Sequence, residues 1–147
     1  MSFDISASGL EAQRIRLDVL ANNIANAQTT RTADGGPYKR RGVIFEAVGG
    51  TKGAFFRLLD KARREEALGQ GVKVAKIIEQ QGDDAFIEVY DPTHPDADEK
   101  GIVRLPNIQV SNEIVNLIDA QRAYEANVTA MNSTKQIAAK TLEIGRT

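Results

Sequence analysis

The residues best equipped for chemistry lie in one short run, Asp91-Pro92-Thr93-His94-Pro95-Asp96-Ala97-Asp98-Glu99-Lys100-Gly101, which holds the chain's sole histidine. Asp96, Asp98 and Glu99 ahead of Gly101 resemble part of a calcium-binding turn, where closely spaced oxygens wrap a hard cation. The run lacks the full ligand series and the closing glutamate of an EF-hand loop, so no metal ligand is assigned. An Asp/Pro/Gly loop that turns the chain by local side-chain hydrogen bonds accounts for the same residues. A metal-dependent binding module on Asp91, Asp96 and Asp98 stands as a rival reading.

Two other runs invite a chemical reading and fall short of it. Gly49-Gly50-Thr51-Lys52-Gly53 lacks the frame and the Lys-Ser/Thr ending of a phosphate-binding loop, and reads as a linker. Lys39-Arg40-Arg41 is a short basic run that reads as a solvated strand face. No nucleophile and base can be placed together from the sequence, so catalysis is disfavoured and no cofactor is expected.

Composition narrows the field further. The net charge is -1, from 19 basic and 20 acidic residues. Nucleic acid is an unsuitable partner, because a phosphate backbone is held by a positive excess that this chain lacks. With no cysteine, disulfides and thiolate metal sites are excluded. The N-terminus has no basic start followed by an apolar run, and no stretch is apolar enough to span a membrane. Any export is therefore expected to proceed without a cleaved signal peptide.

The elements that must carry any function are the two ends. From Ser111 to Ile144, apolar residues recur at Ile114, Leu117, Tyr124, Val128, Met131, Ala138 and Leu142, with Gln121 and Lys135 at the interrupting positions. These spacings of three and four predict one long helix, on the order of 50 Å, that projects beyond a small domain. A second row, Ala123, Ala130, Ile137 and Ile144, lies about 100° round the same helix. One partner helix cannot cover both rows.

At the other end Phe3, Leu10, Leu17 and Ile24 repeat by seven, with Leu20 and Ala27 as companions and Ile5, Ala12 and Val19 as a second row. A helix start is expected between Asp4 and Ser8, the latter having capping-box spacing to Glu11. Ala21-Asn22-Asn23-Ile24-Ala25-Asn26-Ala27 is unfavourable for a helix, since each asparagine costs roughly 0.6 kcal/mol relative to alanine. Either buried amides fix the register of packed helices there, or the segment is a fraying end.

Between the ends, Tyr38 to Val48, Val72 to Glu79, Phe86 to Tyr90 and Ile102 to Leu105 read as strands, with Gln80 to Asp84 as a hairpin turn joining the second and third. Phe55 to Leu68 reads as a short amphipathic helix or an adaptable insertion. The expected fold class is α+β: terminal helices packed as a coiled-coil-like core over residues 1–31 and 108–147, and a small, mostly β middle domain over 32–107 with an insertion near 51–70.

Several of these residues form a recognisable pattern. Ser8-Gly9-Leu10 with Ala12-Gln13, then Asp18 and Ala21-Asn22-Asn23-Ile24-Ala25-Asn26, resembles the N-terminal signature of bacterial flagellar axial proteins of the rod and hook family. Gln121-Arg122-Ala123-Tyr124-Glu125-Ala126-Asn127 and Lys140-Thr141-Leu142-Glu143-Ile144-Gly145 resemble the paired C-terminal signature. Thr32 to Tyr38, Gly71 to Val74, Tyr90 to Asp98 and Gly101 to Asn107 are similar to proximal-rod members of that family. The departure is Thr51 to Gln70, where the family's loop is often shorter.

The resemblance implies a non-enzymatic subunit of the basal-body rod, exported by the flagellar type III apparatus and polymerised across the periplasm. Its partners would be copies of itself, other rod subunits, and ring and export-gate proteins at the rod base. Together with the apolar rows it names an assembly interface of Leu10, Leu17, Leu20, Asn22, Asn23, Ile24, Asn26, Ile114, Leu117, Gln121, Tyr124, Asn127, Val128, Met131 and Leu142. Excess apolar surface on both ends suits an open, head-to-tail assembly, and implies termini largely disordered in the lone subunit. The rival of a different class is a cytosolic coiled-coil adaptor that dimerises through the C-terminal heptads.

Overall fold

A computed structural model describes residues 2–48 and 71–145. The expected segment Phe55 to Leu68 and the glycine-rich run at 49–53 lie outside the described residues. Helix α1 spans Ser2–Ala25, strand β1 Arg41–Ala47, strand β2 Val72–Glu79, strand β3 Phe86–Tyr90, strand β4 Ile102–Pro106 and helix α2 Val110–Ile144. The class is α+β, with terminal helices packed on each other and a small middle region of antiparallel strands.

The expected strands are present, but their pairing differs from the sequence reading. β1 pairs antiparallel with β2, with a bulge between Ile44 and Phe45, and β3 pairs antiparallel with β4. Gln80 to Asp84 is therefore not a hairpin turn between β2 and β3. A single 3-10 turn, Asp83–Ala85, links two separate two-stranded ribbons instead. The reason is the main chain: Gln80 donates its N–H to Arg40 O, continuing the β1–β2 ladder, while Asn107 N–H reaches Ala85 O and continues the β3–β4 one.

Helix α1 begins at Ser2, earlier than the expected start between Asp4 and Ser8. Ser8 is not a cap. Its hydroxyl donates to Ile5 O and accepts the Val72 N–H at 3.1 Å, stitching the helix to the start of β2. Close approach there requires Gly71, whose φ is +116° and whose α-hydrogen faces Ser8. A β-carbon at that position would meet the Ser8 side chain in a backbone region that side chains disfavour. Gly71→Ala is expected to lower stability by about 2 kcal/mol, read as a fall in the urea midpoint at unchanged m-value.

The two helices run antiparallel. Gly9 lies against Asn127, where an added β-carbon would be 2.9 Å from Asn127 Oδ1, and Asn23 lies against Glu113. The buried residues are Ser6, Gly9, Ala12, Val19, Leu20 and Asn23 on α1 and Glu113 and Ala120 on α2, most of them small or polar. The covered face coincides with neither apolar row. On α2 the covered side is centred one residue, about 100°, away from Ile114, Gln121 and Val128, all of which are exposed. On α1, Ala12 and Val19 of the second row and Leu20 beside the first are buried, while Phe3 of the first row and Ile5 of the second are exposed.

Because α1 is the shorter helix, α2 runs past it. Every residue from Lys135 to Gly145 is exposed, a projecting end of about 15 Å. Both ends are helical, where the sequence implied termini largely disordered in the lone subunit. The covered seam and the β1–β2 ribbon leaning on α1 give the N-terminal helix the packing that short helices need in water.

Candidate assembly surface

The carboxylate loop at 91–101 resolves into separate turns. Asp91 Oδ1 accepts the Thr93 N–H and hydroxyl, Asp98 Oδ1 accepts the N–H groups of Lys100 and Ile102, and Asp96 accepts the Thr30 hydroxyl at 2.7 Å with Arg31 nearby at 3.5 Å. His94 Nδ1 accepts the Asp96 N–H. Asp91 and Asp98 are aimed at main-chain and side-chain groups of their own turns and Asp96 at Thr30 and Arg31, not at a common point. An adjoining open cleft of ≈ 630 Å³ carries Arg31, Lys100 and Arg104 alongside Glu88, Asp96 and Asp98, so its charge favours neither anion nor cation.

The turn hydrogen bonds have a pH signature. Thr93 holds the Asp91 carboxyl below its ordinary value, and the Ile102 N–H does the same for Asp98. A depressed folded value gives a contribution present above the unfolded carboxylate value and lost as pH falls through the folded one. The loop is therefore expected to hold its turns at neutral pH and loosen below about pH 4. Carboxyl-carbon NMR titration should give both midpoints below the ordinary aspartate value of about 3.9.

Where α1, β1 and α2 meet, the structure places a polar junction that sequence reading only half anticipated. Asn23, with no exposed surface, uses its whole amide. Nδ2 donates to Arg41 O at 2.8 Å and to Glu113 Oε2 at 2.9 Å; Oδ1 accepts the Arg41 N–H at 2.9 Å and the Tyr38 hydroxyl at 3.1 Å. Glu113, 2% exposed, takes Arg40 Nε and Nη2 on its other oxygen at 2.9 and 2.7 Å. Burial pushes the Tyr38 hydroxyl upward from its ordinary value, which keeps its proton available for Asn23. The Arg41 guanidinium lies 5.7 Å from the Tyr38 ring centre and pairs with Glu79.

Of the alternatives for the asparagine-rich segment, the buried amide is the one observed; the helix persists to Ala25. Asn22 and Asn26 each donate to a carbonyl one turn back and stay outside the junction. The basic run also divides: Lys39 is exposed as expected of a solvated strand face, whereas Arg40 pairs with buried Glu113. Tyr38, Arg40 and Glu113 were not legible as a unit. The weak signal was a glutamate on a helical face otherwise continued by Ala120 and Asn127.

The residues named for assembly fall into three groups. Asn22, Ile114, Gln121, Val128 and Leu142 are exposed; Leu10, Leu17, Ile24, Asn26, Leu117, Tyr124, Asn127 and Met131 are half-buried; Leu20 and Asn23 are buried inside the subunit. Uncovered apolar side chains lie on the ribbons, with Ile77 at 48% and Tyr90 at 73% exposure, and at two places on α2. Ile114, Val115 and Ile118 are 45%, 58% and 43% exposed near its start, and Ile137, Leu142 and Ile144 are 66%, 72% and 76% exposed on its projecting end. On the projecting end Leu142 lies on a different side of the helix from Ile137 and Ile144, so the uncovered side chains there are spread round α2. No helix among the described residues is long and apolar enough to cross a membrane.

Comparison with known proteins gives the family. Residues 3–31 match a family model described as flagella basal body rod protein, and residues 99–144 match one described as flagellar basal body rod FlgEFG protein C-terminal. The chain is 44% identical to the flagellar basal-body rod protein FlgC of Bacillus subtilis, over 99% of this chain and 97% of that protein. It is 43% identical to FlgC of Borreliella burgdorferi over 97% and 95%, and 40% identical to FlgC of Salmonella typhimurium over 98% and 96%. With both terminal helices matched and the ribbons between them included, the chain belongs to the FlgC family of flagellar basal-body rod proteins.

Proposed function

We propose that this chain, a structural subunit of the flagellar basal-body rod by family, occupies the proximal rod and assembles through its terminal helices. The observation that carries the reading is the apolar surface left on α2 after α1 has packed, above all Ile137, Leu142 and Ile144 beyond the end of α1. A projecting apolar helix end that cannot fold back on its own subunit is covered when it meets a neighbour, and a head-to-tail contact of that kind generates an open polymer.

In this role the helices form the wall of a tube that transmits torque and surrounds the export path, and the ribbons lie outside it. The chain works without catalysis, and its partners are copies of itself, other rod subunits, and ring and export-gate components at the rod base. It reaches the periplasmic rod through the flagellar type III system. The interface comprises the exposed and half-buried members of the terminal rows, with Leu20 and Asn23 acting from inside the subunit.

Deleting the gene tests the assignment. Electron microscopy of basal bodies is expected to show no rods, hooks or filaments, with all three restored by the gene in trans. Normal swimming in the deletion strain would refute it. The coiled-coil adaptor predicts a dimer of fixed size, which sedimentation at several concentrations distinguishes from a monomer that joins only a polymer.

A further inference from the structure

Helix α1 is stitched to the β1–β2 ribbon at both ends, by Ser8 to the Val72 N–H and by Asn23 to the main chain of Arg41. Those three elements form one body on which α2 is laid. The seam between them is lined by side chains that resist sliding weakly. Gly9 meets Asn127 as observed, and a slip of one heptad would set it against Ala120 or Thr134, the first smaller than asparagine and the second about its size. Glu113 is different. It is buried, and its two oxygens take Asn23 from α1 and Arg40 from the approach to β1.

We propose that Glu113 is the register pin of the subunit, a positioning residue that fixes where α2 sits along α1 and so sets the length of α2 that projects. Apolar and small contacts favour closeness without specifying axial position, whereas a buried carboxylate is satisfied at one position only. A single buried polar group specifying register between packed helices has precedent in coiled coils. A slip of one heptad moves the projecting end by about 10 Å, which would carry Ile137, Leu142 and Ile144 away from any site built to receive them. That functional consequence rests on the rod reading above; the register itself does not.

The test is a distance measured in the isolated full chain. The sequence has no cysteine, so Asp18→Cys and Thr129→Cys, at exposed positions of α1 and α2, take spin labels cleanly. Double electron–electron resonance should give one narrow distance. Removing both charges together, Arg40→Leu with Glu113→Leu, leaves Asn23 bound to Arg41 and fills the site with apolar groups, which buried ion pairs often tolerate. That variant is expected to keep its helical circular dichroism and to show a second distance, displaced by about one heptad of axial rise, or about 10 Å. Glu113→Gln keeps an acceptor for Asn23 and is expected to retain the single distance. One unshifted distance in the double-leucine variant overturns the proposal. So does loss of its helices, because the pin would then hold the fold and not the register.

Discussion

Asn23→Asp is expected to destabilise the subunit by about 4 kcal/mol at neutral pH, a larger loss than its near-identical shape suggests. The change replaces Nδ2, which donates to Arg41 O at 2.8 Å and Glu113 Oε2 at 2.9 Å, with an oxygen. Two acceptors then face a third in a site with no exposed surface. The way out is for the introduced acid to keep its proton and donate it to one of them, which raises its folded pKa above the unfolded value. A raised value means that stability is present below the unfolded value of about 3.9 and lost as pH rises through the folded one. The deficit relative to the parent chain should therefore widen from pH 4 to pH 8, measured by urea unfolding at each pH. Asn23→Ala, which removes the amide without adding charge, is expected to cost on the order of 3 kcal/mol with little pH dependence over that range. Asn22→Ala should change stability by less than about 0.5 kcal/mol, since its amide merely returns to Asp18 O on an exposed turn. Equal effects at positions 22 and 23 would remove the basis for the junction.

The second large effect is on assembly. Ile137→Ser, Leu142→Ser and Ile144→Ser combined are expected to leave the subunit's unfolding free energy within about 0.5 kcal/mol of the parent, because the native side chains are 66%, 72% and 76% exposed. Burying three such side chains among the neighbouring subunits of an assembly is worth about 5 kcal/mol, at roughly 1.5–3 kcal/mol for each full burial. At about 1.4 kcal/mol per tenfold, their loss weakens subunit addition by more than a thousandfold. Swimming in soft agar should vanish while the variant is still made at the parent's level. Lys135→Ser, on the same projecting end, is the control and should swim. Full motility in the triple variant would mean that the projecting end carries no contact that the rod needs.

Which parts of this molecule could be read from its residues follows from what each residue type constrains. The period of Leu117, Tyr124 and Met131 demanded a helix, and the strand at Val72 to Glu79 appears with the bounds its β-branched residues suggested. A helix with two apolar rows does not announce which is covered. Here the subunit uses neither fully: Gly9, Ala12 and Ala120 permit the close approach, and bulky Ile114 and Val128 are left outside. Strand partners were also illegible, because β2 and β3 are separated by turn-forming residues whether or not they pair. The junction was hardest of all. Asn22, Asn23 and Asn26 carry the same propensity penalty, and only the path of the chain from Tyr38 to Arg41 decides which amide is enclosed. Glu113 sits 90 residues from Asn23, and no local pattern connects them.

The way Asn23 meets β1 has a further consequence. The Arg41 N–H and C=O point away from β2, along the open edge of a two-stranded ribbon, and the Asn23 amide takes both. A primary amide presents the same donor and acceptor that the peptide group of an incoming strand would. The side chain is therefore a plug against edge-to-edge addition at that point, the route by which unprotected strands recruit foreign chains into aggregates. For a rod subunit that assembles by its helices as proposed above, blocking strand addition at this point lessens competition from amyloid-like growth.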